Sequence, residues 1–236
     1  MAPISETERR AALARSFLAR YGVVTVEGVK SELITGGFSA VYDVYRAMEQ
    51  AGTIRRGYFI AGHGATQFAL PGADDRLRSL REPGDHRVTR VLAATDPANP
   101  YGASLVWPEG PRVVHTESPE SPELGRPQRV AGALVVISDG ELLGWLGRST
   151  QTLLTFDSST PEGPSALASA LAALVETGRK RALLITTIDG EAAARSPHVE
   201  AFRAAGFTLG TRGLLRRRGE SSFLSRHGVA DAEADA

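Results

Sequence analysis

Between Gly22 and Gly72 glycines cut the chain into a fixed succession of short pieces, GVVTVEGVKSELITGGFSAVYDVYRAMEQAGTIRRGYFIAGHGATQFALPG. Pieces this short are not stable alone in water, so they must share one core. Thr25 is placed to cap a short helix running through Val29 and Leu33, and Gly36-Gly37 breaks it with a tight turn. The spacing predicts a second helix over residues 38–51. Its Val41, Val44, Tyr45 and Met48 share an inner face, while Ser39, Tyr42, Asp43, Arg46 and Glu49 share the outer one. Residues 53–60 and 66–70 then alternate as two strands around Ala61-Gly62-His63-Gly64-Ala65. Upstream, Ser5 and Glu8 have capping-box spacing, and Leu13, Phe17 and Leu18 recur at helical intervals until Gly22. Val23-Val24 is long enough only for a bridging strand, and an arginine-bearing helix over 73–81 closes the module. Helix, turn, helix and hairpin in this order predict a winged helix-turn-helix over residues 1–82.

Glu82-Pro83-Gly84-Asp85 is a polar, turn-rich boundary. Beyond it the expectation is a mixed, β-barrel-like α+β domain over 83–218 and a disordered tail over 219–236. Residues 88–94 read as a strand leading into the loop TDPANPYG, and 108–128 as a surface excursion rich in Pro, Glu and Ser. Residues 129–138 and 141–146 form a hairpin across Asp139-Gly140, a strong turn signal. A strand over 151–156, a helix over 164–177, a strand over 182–188, a helix over 197–205 and a strand over 207–217 follow. The chain as a whole is α+β.

The 27 basic and 27 acidic residues balance, so no global field draws this chain to a polyanion and any such contact comes from local clustering. Lys30 and Lys180 are the only lysines, so the remaining basic residues are arginine, the better side chain for forked contacts to phosphate or guanine. The absence of cysteine removes disulfides and thiolate zinc sites, and the five scattered histidines lack metal-ligand spacing. No cofactor and no metal is expected. No apolar run approaches membrane-spanning length, which points to a cytoplasmic protein without a membrane partner.

Six ordered blocks, RYGVVT, GGFSAVYDVYRAMEQAG, IRRGYF, QFALPGADDRLR, TDPANPYG and AGALVVISDGELLGWL, give the chain a close resemblance to the C-terminal region of the large helicase-related (Lhr-type) family of superfamily-2 DEAD/DEAH-box helicases. That region is in turn similar to the winged-helix DNA glycosylases, and a uracil-glycosylase activity is associated with it in some members. The resemblance implies a nucleic-acid-binding module of a DNA-repair helicase, with DNA or RNA as ligand. It also implies a helicase core polypeptide and further copies of the chain as protein partners. The sequence contains no G-x-x-x-x-G-K-[ST] loop and no DEAH-like box, so ATP hydrolysis is not expected from these residues. A base-excision module and an assembly module are the competing readings.

Arg55 and Arg56 are the first candidates for phosphate contact. Strand alternation sends them to opposite faces, so one can meet phosphate while the other pairs with Glu49 or Glu27. Ser39, Tyr42 and Arg46 share one side of the second helix of the motif, and Gln67 lies on the return strand of the wing. In the loop TDPANPYG, Asp96 is the candidate catalytic carboxylate, able to position water or stabilise a sugar cation. Tyr101 is the candidate surface for a flipped base. The same residues also serve a turn, with Asp96 capping it and Tyr101 packing beneath.

Overall fold

Helix α1 (Glu6–Tyr21) begins where both halves of the Ser5/Glu8 capping box close, and it ends at Gly22 in a left-handed conformation. We describe residues 4–81, 87–110 and 126–219 of a computed structural model. The expected domain boundary at 82–85, most of the excursion at 108–128 and the tail from 220 lie outside these residues. The chain divides into one unit of residues 1–86 with 103–106 and another of residues 87–102 with 107–236.

In the first unit α1 leads through β1 (Val23–Val24) to α2 (Val26–Ser31), whose N-cap Thr25 accepts the Gly28 N–H at 3.0 Å. α3 (Ser39–Gln50) follows, then the wing strands β2 (Arg55–Gly57) and β3 (Gln67–Ala69), and α4 (Ala73–Ser79). The strands pair antiparallel in the order β1-β3-β2. Phe17, Leu18, Val29, Val41, Tyr45, Ile54 and Phe68 form the core beneath α1, α2 and α3. The Tyr45 hydroxyl donates to the Ala14 carbonyl at 3.1 Å, tying α3 to α1. This is a winged-helix arrangement, with strands shorter than the alternation predicts because both ends of the wing are glycine-rich loop.

The second unit contains β4 (Thr89–Ala93), β5 (Leu134–Ser138), β6 (Glu141–Leu146), β7 (Thr152–Thr155), α5 (Gly163–Glu176), β8 (Ala182–Ile185), β9 (Thr187–Ile188) and β10 (Glu191–Ala192). After a single 3-10 turn come α6 (Val199–Ala204), β11 (Thr208–Gly210) and β12 (Gly213–Arg217). Asp139 and Gly140 both take positive φ, as the two-residue turn between β5 and β6 requires. Six strands form one sheet in the order β10-β9-β7-β6-β5-β4, parallel only at β7–β9, and β11-β12-β8 form another. Alternation along β5 and β7, together with a bulge at Leu143 in β6, divides the larger sheet between two cores. Val136, Leu143, Leu146 and Leu153 face α5, whereas Val135, Leu142, Trp145 and Leu154 face the opposite side with Tyr101 and Trp107.

Three expectations are corrected here. Both sheets are open, with no closed barrel among the described residues. The single strand expected over 182–188 breaks at Thr186, because the Thr186 and Thr187 N–H groups both turn to the Gln151 carbonyl and carry the chain from the small sheet to the large one. The final strand expected over 207–217 is a hairpin whose return begins at Gly213, pressed against the neighbouring strand.

Candidate nucleic-acid interface

The wing carries its arginines into solvent. Arg55 and Arg56 are both exposed, Arg55 with 66% of its side chain accessible. The carboxylate nearest the Arg55 guanidinium belongs to Asp74 at 3.9 Å, rather than to Glu49 or Glu27, and Asp74 also faces Arg78 at 3.8 Å. An exposed pair at that separation contributes little, so it leaves Arg55 available to an anion. Tyr58, exposed on the same wing, accepts the Gly62 N–H on its hydroxyl at 3.1 Å. It was not among the sequence candidates, although its place two residues after Arg56 could have marked it.

Gln67 is not a ligand contact. It is fully buried, and its amide is the template around which the wing loop folds. Oε1 accepts the Phe59 and Ile60 N–H groups at 2.9 and 2.8 Å. Nε2 donates to the carbonyls of Ile60, His63 and Gly64 at 2.8, 3.2 and 2.9 Å. Every donor and acceptor of the side chain is thus used internally. His63, nearly buried in that loop, sets Nε2 2.9 Å from the Ser104 carbonyl.

On α3, Ser39 and Arg46 are exposed, and among the described residues Arg46 has no ion pair. Tyr42 is corrected in part: its ring packs edge-on to Phe68 at 6.1 Å and against Phe38 at 5.9 Å, so only its rim faces solvent. Glu32, just past α2, accepts from both the Arg20 guanidinium and the Tyr21 hydroxyl at the end of α1. Burial alone would raise its pKa, but these two donors outweigh burial and hold it below its ordinary value. One acidic group on this module is thereby neutralised.

In the second unit the loop after β4 is held from within. The Ala98 N–H donates to Asp96 Oδ1 at 2.8 Å, an Asx turn ahead of Asn99. Asn99 is buried; its Nδ2 donates to the Ala94 carbonyl at 2.8 Å and its Oδ1 accepts the Tyr101 N–H at 3.0 Å. The Arg129 guanidinium clasps the carbonyls of Thr95, Asp96, Asn99 and Tyr101. The Tyr101 ring stacks on Trp107 at 6.4 Å, and its hydroxyl donates to the Gly140 carbonyl at 2.8 Å. Tyr101 therefore packs into the core rather than offering a face to a flipped base, and burial pushes its hydroxyl pKa up. Asp96 stays half-exposed on this rigid loop.

A separate cavity of about 230 Å³ lies between β7 and the start of α5, with Leu143 and Leu167 as apolar wall and Asp157, Ser158 and His198 on its border. Neither Asp96 nor Tyr101 lines it. Asp157 lies just past β7, and nothing in its local sequence distinguishes it. Among the described residues no cluster of His, Asp and Glu could hold a metal ion. No helix among them is long and apolar enough to cross a membrane.

Residues 3–89 match the family model described as "Large helicase-related protein, winged-helix domain". Over 218 residues the chain is 42% identical to a protein of Mycolicibacterium smegmatis named "Lhr helicase/ probable uracil glycosylase", an alignment covering 86% of this chain and 14% of that protein. Over 215 residues it is 33% identical to the "Lhr helicase/uracil glycosylase" of Escherichia coli, covering 90% of this chain and 13% of that one. The chain thus spans about a seventh of the length of these relatives.

Proposed function

The chain belongs to the large helicase-related family and carries its winged-helix domain, and on that footing we propose that it is a nucleic-acid-binding module of a repair-type helicase, contacting backbone phosphates through Arg55 and Arg56. The observation that carries this reading is the pair of adjacent exposed guanidinium groups on the wing, opposed among the described residues only by Asp74, 3.9 Å from Arg55. Ser39 and Arg46 on the outer face of α3 extend the contact toward the groove, as in other helix-turn-helix readers. DNA is the first ligand to test and RNA the second. The ATP-driven step would come from a helicase core, joined to this module in the same polypeptide or as a partner. A cytoplasmic setting belongs to the same reading.

Replacing both Arg55 and Arg56 by alanine is expected to weaken binding to a duplex oligonucleotide at low salt by tenfold or more, since two charge-assisted contacts disappear. Unchanged affinity in a folded double variant would remove the wing from the interface.

A second reading, base excision, is favoured by the cavity beside Asp157 and His198 and by the names of the two relatives. Its carboxylate would be Asp96, whose loop is rigid and half-open, or Asp157, which borders a space large enough for a base. A uracil-containing oligonucleotide incubated with wild type and with the Asp96→Asn and Asp157→Asn variants discriminates the two. Loss of base release in one variant alone identifies the group, and no release by wild type removes the reading.

A further inference from the structure

The small sheet gathers cations that lie far apart in sequence. Antiparallel pairing of β12 with β8 sets Arg217 opposite Ala182, so the run Arg179-Lys180-Arg181 entering β8 and the pair Arg217-Arg218 leaving β12 meet at one edge. Cross-strand partners share a face, so Arg217 lies with Ala182 on the face away from α5. Arg218, one residue on, turns to the α5 side, and the cations therefore surround one end of the small sheet. Arg218 folds back over the end of α5, its Nη1 3.6 Å from where a Cβ on Gly178 would stand. Arg179, Arg181, Arg217 and Arg218 are exposed and Lys180 is half-buried.

Among the described residues none of the five has a carboxylate partner. Glu176, at the end of α5, is taken by the buried Arg216 at 2.7 Å. The C-terminal end of α5 presents roughly half a negative charge, enough to favour one cation there and not five. The Arg179 contact to the Val91 carbonyl, at 3.5 Å, occupies one donor of that side chain. In a chain whose formal charge sums to zero, this edge is a local excess of positive charge in the unit that does not carry the wing.

We propose that this edge is a second phosphate-binding surface, contacting the nucleic-acid backbone independently of the wing; it rests on the nucleic-acid reading above. Four of its five cations are arginines, whose planar fork matches paired phosphate oxygens. Such contacts carry no base information and add affinity without sequence preference.

The test uses the full chain and a fluorescent duplex oligonucleotide in an anisotropy titration across a salt series. The triple variant Arg181→Ala, Arg217→Ala, Arg218→Ala should bind at least tenfold more weakly at low salt. Its plot of log affinity against log salt should be shallower by roughly 0.9 for each phosphate it no longer neutralises. The matched triple lysine variant should keep the wild-type slope, because it keeps the charge. An alanine triple with wild-type affinity and slope overturns the proposal, as does a lysine triple that weakens as much as the alanine one. Wild type failing to bind at low salt would instead overturn the nucleic-acid reading itself.

Discussion

Two residues of the wing module show how local sequence and native environment pull apart. Leu33 sits at φ 53° with 90% of its surface exposed, so it bears the cost of a left-handed backbone and recovers no burial. That conformation costs a side-chain-bearing residue about 1–2 kcal/mol, of which glycine's extra chain entropy cancels only part. Leu33→Gly should therefore raise stability by about 0.5–1 kcal/mol, read as a higher urea midpoint at unchanged slope; a lower midpoint would show that Leu33 makes contacts that matter. Gln67 is the opposite case. Gln67→Leu keeps the volume but strands the Phe59 and Ile60 N–H groups and three carbonyls, and should cost about 2–4 kcal/mol. If urea denaturation finds less than about 1 kcal/mol, the buried amide is not what organises the wing loop.

The elements that could be read in advance are those whose signals are local. The Ser5/Glu8 box, the Thr25 cap and the Asp139-Gly140 turn each act over four residues or fewer, and each forms. What could not be read depends on distant partners. A strand glutamine beside glycines looks solvent-facing until the loop is seen wrapped around it. The alternative in which Asp96 caps the turn and Tyr101 packs beneath it was legible and forms, although Trp107 as the covering ring was not. The break at Thr186 needs the Gln151 carbonyl just ahead of β7, so an unbroken apolar run concealed a change of sheet. Just past that break Asp189 accepts the Thr155 N–H and hydroxyl, each at 2.7 Å, and joins β9 to β7. Burial raises its pKa above the ordinary 3.8, against the lowering effect of those two bonds. A folded-state value above the unfolded one means that the native state holds the proton more tightly. The contribution of Asp189 to stability is therefore greatest below the ordinary value and falls as pH rises through the raised one. The stability difference between wild type and Asp189→Asn, followed by urea denaturation from acid to neutral pH, should move against wild type; movement in its favour would mean that the two bonds dominate.

At the scale of the whole molecule, a chain of zero formal charge exposes cations on the wing of one unit and on a sheet edge of the other, and no global field obscures either. Nucleic acid is the counterpart proposed for both, and the chain spans about a seventh of the length of its two longer relatives. The most direct measurement is arginine footprinting with phenylglyoxal, read by mass spectrometry with and without duplex DNA, because it reports on the guanidinium groups themselves. Protection of Arg55 and Arg56 on adding DNA is the predicted result. Equal modification of both in the presence of bound duplex would contradict the wing as the point of contact.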